Sequence, residues 1–145
     1  MQSQIIEPIF GGEFPVKVIP LIEAAIKSIK IIVFDWRWYP TDPASPCQKF
    51  NNALIAAKKR CVEISVLTNC NDTLNILRSV GIKAKKPISR RLLHSKIIII
   101  DEKILIIGSH NYTQNAFTSN FEASVILNGC DDLTKFVQYF NALCV

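Results

Sequence analysis

Several things are scarce in this chain. No run approaches the roughly 20 apolar residues that a spanning helix needs; the longest aliphatic stretches, Ile97 to Ile100 and Ile104 to Ile107, are strand-sized. No Cys-x-x-Cys pair exists among the five cysteines, at positions 47, 61, 70, 130 and 144. That spacing argues against a closed zinc site or a disulfide framework and for reduced, mostly packed thiols. Cations are missing from the N-terminus until Lys17, and Glu7 and Glu13 interrupt its apolar residues. A secretory leader is therefore not expected, and the chain reads as cytoplasmic. There are only two histidines and no carboxylate cluster of the kind a metal requires. No cofactor or metal is expected. Acidic residues vanish altogether between Asp72 and Asp101.

What is present is a core. Hydrophobic residues make up 49 % of 145 positions, charged residues 20 %, and the formal charge is +5. One domain of ordinary size fits these values, and a disordered chain does not. The patterning alternates. Ile5 to Phe10 reads as a strand closed by Gly11 and Gly12. Pro15 to Ser28 has helical spacing, with Val18, Leu21, Ile22, Ala25, Ile26 and Ile29 on one stripe. Lys30 to Asp35 is a strand, Pro40, Pro43 and Pro46 enforce a loop, and Gln48 to Lys59 is a helix. Val62 to Thr68 is a strand, and Asp72 to Ser79 a helix stopped by Gly81.

Beyond residue 90 the pattern turns mainly β. His94 to Ile100 and Lys103 to Ile107 flank Asp101-Glu102 as a hairpin. Four consecutive isoleucines predict a strand buried on both faces. Glu122 to Leu127 is a further strand and Asp131 to Leu143 a closing helix. The expected fold is a single α/β domain over residues 1–145, with a central mixed sheet flanked by helices on both faces.

The chemistry is concentrated in residues 94–111. His94-Ser-Lys96, four isoleucines, Asp101, six residues, then Gly108-Ser109-His110-Asn111 give H-x-K-x4-D-x6-G-S-x-N. Six fixed positions match by chance in a chain of this length with a frequency on the order of 10⁻⁶. Residues two apart on a strand share a face, so His94 and Lys96 project together. A tight turn near Glu102 sets residues summing to about 204–205 opposite each other, which brings Ser109 and Asn111 to the same end. An ammonium, a hydroxyl and a carboxamide there supply donors for phosphodiester oxygens.

This pattern resembles the signature of the phospholipase D superfamily, the HKD phosphodiesterases, and Asn120-Phe121-Glu122 resembles its downstream acidic element. A small chain with one motif is similar to the bacterial Nuc-type endonucleases of that superfamily. The resemblance implies a metal-independent phosphodiesterase, most simply a nuclease on DNA or RNA. Its site would be shared by two protomers on a two-fold axis. One His94 would attack phosphorus to form a phosphohistidine, and the other would protonate the leaving oxygen. Lys96, Ser109 and Asn111 would hold the phosphate. Glu122 would fix the tautomer of His94 through its second ring nitrogen, and Gly108 and Asp101 would support the motif.

Other residues carry two readings. Asp101 is expected to hold turn amides. His110, at the variable motif position, is expected to be no catalytic partner. Trp36-Arg37-Trp38-Tyr39 is either a base-stacking platform or interface packing, and Tyr112 and Phe117 are open in the same way. The run Arg78, Lys83, Lys85, Lys86, Arg90, Arg91 and Lys96 favours an electropositive approach to the site. Lys85, Lys86, Arg90, Arg91, Arg37 and Trp36 are the nucleic-acid-binding candidates. A lipid phosphodiesterase and a non-catalytic nucleic-acid-binding module are the alternatives. The former would have to engage a membrane, for which only the Trp-rich loop offers itself, and no stable membrane association is expected.

Overall fold

The computed structural model describes residues 4–144. Seven strands form one sheet in the order β1-β7-β6-β5-β2-β3-β4. The strands are β1 (Ile5–Phe10), β2 (Ser28–Val33), β3 (Glu63–Thr68), β4 (Lys83–Lys85), β5 (Ile97–Ile100), β6 (Ile104–Gly108) and β7 (Ala123–Asn128). The helices are α1 (Glu13–Glu23), α2 (Pro46–Lys59), α3 (Asn71–Ser79), α4 (Gln114–Thr118) and α5 (Thr134–Cys144). Strands β2, β3 and β4 run parallel, joined by helices, while β1, β7, β6, β5 and β2 pair antiparallel. The mixed sheet expected from the patterning is there, and both its faces are covered, unequally.

One face carries the larger core. Ile29, Ile31, Val33, Ile98, Ile100 and Ile106 meet apolar residues of α1 to α4, with Phe14, Phe50, Trp36, Tyr112 and Phe117 as a buried aromatic cluster. The opposite face is covered by α5, whose Phe140, with Leu133 just before it, packs on Ile32, Leu67, Ile97, Ile99 and Leu105. The four isoleucines of β5 thus alternate between two cores, and each is at most 5 % exposed. Their period-2 geometry is what lets a continuous apolar run be satisfied.

Local chemistry explains the boundaries. Ser45 caps α2 by accepting a hydrogen bond from the Gln48 amide at 3.2 Å, and Pro46 occupies the first helical position. Helix α1 stops at Glu23, short of the Ser28 expected from the stripe. Arg60 donates to the carbonyls of Ile22 and Ala25 at its C-terminal end. Ile26 is 85 % exposed and lies in the connection to β2, not on the stripe. That connection is held by Asp101, whose carboxylate accepts from the amides of Ile26, Lys27 and Ser28 at 2.7–3.3 Å. Asp101 is therefore structural, as expected, but it secures the α1–β2 connection and not its own turn. Burial works against its charge, yet the three amides outweigh burial and hold the carboxyl below its usual range.

Strand β2 consequently begins two residues before the expected Lys30 and ends at Val33. The β5–β6 register pairs Ile97 with Ile107, a sum of 204 as anticipated, across a turn in which Asp101 and Glu102 both have positive φ. The ladder starts at Ile97, not His94, so the motif residues precede it. Strand β4 and helix α4 were not foreseen. Three residues, Lys-Ala-Lys, leave only Ala84 inside and merge with the basic run, and five residues are too few to show a helical period. All five cysteines are free thiols; Cys47 is buried and Cys61 exposed. No helix among the described residues is long and apolar enough to cross a membrane.

Candidate active site

Every motif residue except Asp101, which lies in the β5–β6 turn at the other end, sits at one end of the sheet. His94 and Lys96 lead into β5, Ser109 and Asn111 leave β6, Glu122 precedes β7, and Phe34 to Tyr39 leave β2. Because β5 runs antiparallel to both neighbours, these openings fall together.

His94 is exposed, and Lys96 beside it is buried with 9 % of its surface accessible. The Lys96 ammonium lies 3.1 Å from His94 Nδ1 and 3.4 Å from Nε2. An ammonium can only donate, so the ring nitrogen that receives it carries a lone pair. Phe34 backs both, its ring 5.2 Å from the imidazole and 5.9 Å from the ammonium. Burial lowers the Lys96 pKa from its ordinary value, and Glu122 opposes that shift.

Glu122 corrects the expected pairing. It makes no hydrogen bond to His94 of its own chain. Instead its Oε1 accepts from Ser109 Oγ at 2.6 Å and its Oε2 from Asn120 at 3.2 Å. Ser109 is corrected with it. Its hydroxyl hydrogen goes to Glu122, its oxygen accepts from the Ala123 amide, and its own amide donates to the Ala123 carbonyl. Ser109 therefore organises Glu122 and presents no spare donor in this state.

Asn111 is fixed differently. Its Oδ1 accepts from the Asp35 amide at 3.0 Å, which leaves the Nδ2 hydrogens free. The register comes from a short pairing of the chain after β2 with that after β6. The Tyr112 amide donates to the Asp35 carbonyl and the Arg37 amide to the Tyr112 carbonyl. Gly108 is a steric necessity. It faces Ser124 on β7, and a Cβ there would collide with Ser124 and the Ala123 carbonyl.

His110 is locked away from the chemistry, only 1 % exposed. The Gly11 carbonyl, 2.9 Å from Nε2, can only accept, so Nε2 carries the proton. Nδ1 then accepts from Ser124 Oγ at 2.7 Å. Burial lowers its pKa, with Gly11 and Glu122 opposing.

The nucleic-acid candidates divide. Trp36 fails as a stacking platform. It is 1 % exposed, packs edge-on against Tyr112, and donates to Asn51 at 2.6 Å. Tyr112 and Phe117 are likewise core. Arg37 is exposed and paired with Asp35 at 2.8 Å. Lys86, Arg90 and Arg91 are exposed, and Arg91 shares a cleft of about 310 Å³ with His94. Lys85 is exposed on the edge strand, with its ammonium on the Cys144 carbonyl. Sequence reasoning gave Asp35 no role, named Asn120 only as part of the Asn120-Phe121-Glu122 element, and missed the cleft they line. The one available signal was Asp35 at a strand end, two residues before Arg37.

A family model described as "Cardiolipin synthase, PLD-like domain" matches residues 18–144. Mouse mitochondrial cardiolipin hydrolase is 29 % identical over 91 residues, which cover 59 % of this chain and 41 % of that protein. The chain thus matches well under half the length of that relative. Among solved structures, the phospholipase D family member Nuc from Salmonella typhimurium superposes with a TM-score of 0.84 at 23 % identity, covering 98 % of this chain and 95 % of that one. NucT from Helicobacter pylori gives 0.77 at 18 % identity, covering 98 % and 96 %. With the H-x-K…G-S-x-N residues gathered at one end of this sheet and the family model spanning most of the sequence, the chain belongs to the phospholipase D superfamily of phosphodiesterases.

Proposed function

We propose that this protein is a nuclease that hydrolyses phosphodiesters through a covalent His94 intermediate, in a site completed by a second copy of the chain. The observation that carries the nucleic-acid assignment is the approach to His94. Residues 73–100 hold seven Lys and Arg and no acidic residue, so the remainder of the chain is net negative. Lys86, Arg90 and Arg91 are exposed there, and Arg91 lines one cleft with His94. A repeating polyanion exploits such a stretch better than a single phosphate does.

The count of imidazoles supports the second copy. In-line displacement needs a nucleophile and a proton for the leaving oxygen in the same step. The chain has two histidines, and His110 is committed to Ser124 and Gly11. We assign that proton to His94 of a second copy. In the first step a His94 nitrogen bonds to phosphorus, the P–O bond to the leaving strand breaks, and that oxygen takes the proton. In the second step water attacks phosphorus, losing its proton to the imidazole that protonated the leaving oxygen, and the N–P bond breaks. Lys96 supplies positive charge to the phosphoryl oxygens throughout, and Asn111 a neutral donor. Phe121, fully exposed beside Glu122, and Phe10, 57 % exposed, form an apolar border that a second copy would cover.

One observation favours a second reading, cleavage of an anionic phospholipid. Ile88 and Leu92 are 72 % and 69 % exposed among the basic residues flanking His94, an arrangement suited to an anionic bilayer surface. The mouse relative is named a cardiolipin hydrolase.

One panel separates the readings: wild type and His94→Ala against single-stranded DNA, duplex DNA, RNA and cardiolipin vesicles, all in chelator. Cleavage of nucleic acid, lost in His94→Ala, is expected. Vesicle hydrolysis without nucleic-acid cleavage overturns the nuclease reading. Cleavage abolished by chelator overturns the metal-independent mechanism. Gel filtration of the active enzyme should give the mass of two chains; one chain contradicts the shared site.

A further inference from the structure

On the side of the site away from His94 lies an open cleft of about 730 Å³. It shares Asn111 and Glu122 with the catalytic group and extends over Arg37, Trp38, Tyr39, Gln114, Asn115 and Asn120. We infer that this cleft receives a nucleobase next to the scissile phosphate, an inference that rests on the nuclease reading.

The hydrogen-bonding inventory carries the argument. Asn111 has its oxygen committed to Asp35 and its amide hydrogens free. Asn120 is the reverse, donating to Glu122 and keeping its oxygen free. The Tyr39 hydroxyl accepts from the Gln114 amide and retains its hydrogen. Gln114 Oε1 and Trp38 Nε1 also lack partners among the described residues but are themselves buried, so the groups open to a ligand are those of Asn111, Asn120 and Tyr39. The cleft therefore offers donors and acceptors together, on neutral groups. A phosphate uses donors only, and an acyl chain uses neither. The edge of a base presents both, and carboxamides match it.

Charge points the same way. Arg37, the single cation of the lining, is neutralised by Asp35 at 2.8 Å, which disfavours a second anion. Asp35 is neutralised by Arg37, whereas Glu122 is held only by the neutral donors Ser109 and Asn120, so the lining has no uncompensated cation to attract a second anion. Trp38 and Tyr39 supply an aromatic wall. The Trp38 ring lies 6.0 Å from that of buried Trp36, nearly parallel to it. The volume is within the range of small-ligand sites.

The test uses the intact protein and oligonucleotides with one cleavable phosphate, in which a single abasic residue is walked past that phosphate. Removing the base at one flanking position should lower kcat/KM about tenfold or more, the scale of one base stacked on an aromatic ring. Gln114→Ala combined with Asn115→Ala should shrink that ratio severalfold. A ratio is indifferent to any loss of folded enzyme, because both substrates lose equally. Equal rates at every abasic position, or a ratio unchanged in the double variant, overturns the inference. If wild type cuts no oligonucleotide, the nuclease reading has failed and the cleft is judged by binding. Trp38 fluorescence quenched by cytidine or adenosine but not by ribose, and lost in Trp38→Phe, upholds the base site. Quenching by phosphocholine and not by nucleosides assigns the cleft to a lipid headgroup and overturns it.

Discussion

The two histidines stand at the same open end of one hairpin, on its two strands, and their sequence numbers sum to the register of its ladder. They could hardly differ more. His94 is exposed, with the Lys96 ammonium as its side-chain hydrogen-bonding partner. His110 is buried, its ring 4.5 Å from that of Phe14 and tilted by 31°, with both nitrogens hydrogen-bonded to groups the fold already holds in place. The lesson is that residue type and proximity to a motif do not assign chemistry. A reactive imidazole needs an uncommitted nitrogen facing a space where phosphorus can sit, and only one of the two has it.

The contrast is broken most strongly by exchanging the expected losses. His94→Ala should reduce turnover at least about 10³-fold and leave thermal stability close to wild type. His110→Ala should do the reverse. It strands Ser124 Oγ and the Gly11 carbonyl and opens a cavity beside Phe14, costing about 3 kcal/mol in denaturant unfolding. Turnover per folded molecule should stay within a few-fold of wild type. Equal activity losses in both variants would mean that the two imidazoles are not separated in role.

Smaller effects sharpen the same division. Asp101→Ala removes the carboxylate that gathers three amides of the α1–β2 connection and should cost about 2 kcal/mol, with kcat little changed. Since the native carboxyl titrates below its unfolded value, this contribution is full above the unfolded value of 3.8. It fades as pH falls through the lower native value, so wild type and variant converge in stability in acid. The smallest effect is that of His110 protonation. Its native pKa lies below the ordinary 6.5, so the unfolded chain binds the proton first. Stability should decline as pH drops below 6.5 towards the native value, and His110→Gln should flatten that slope.

Much of this was legible in the sequence because the strong signals are local. The isoleucine run, the turn at Asp101-Glu102 and the motif spacing fix a hairpin without long-range information, and the observed register agrees with it. Helix α2 carries a clear cap at Ser45 and α3 a clear stop at Gly81. What stayed hidden depends on contacts across the chain. Nothing near Glu122 says that Ser109 and Asn120 take its oxygens. Nothing near Trp36 says that Asn51, on a helix after a proline loop, buries its indole. Ile26 fits a helical stripe by spacing, but its amide belongs to Asp101, 75 residues away.

The central claim is that His94 forms the covalent bond to phosphorus. It is tested most directly by quenching a reaction with end-labelled oligonucleotide in alkali, where a phosphohistidine survives, and resolving the protein by denaturing electrophoresis and peptide mass spectrometry. A labelled adduct on the peptide carrying His94, absent from His94→Ala and decaying at the turnover rate, is the predicted result. Full cleavage by wild type with no adduct at any time, or an adduct that persists in His94→Ala, contradicts it.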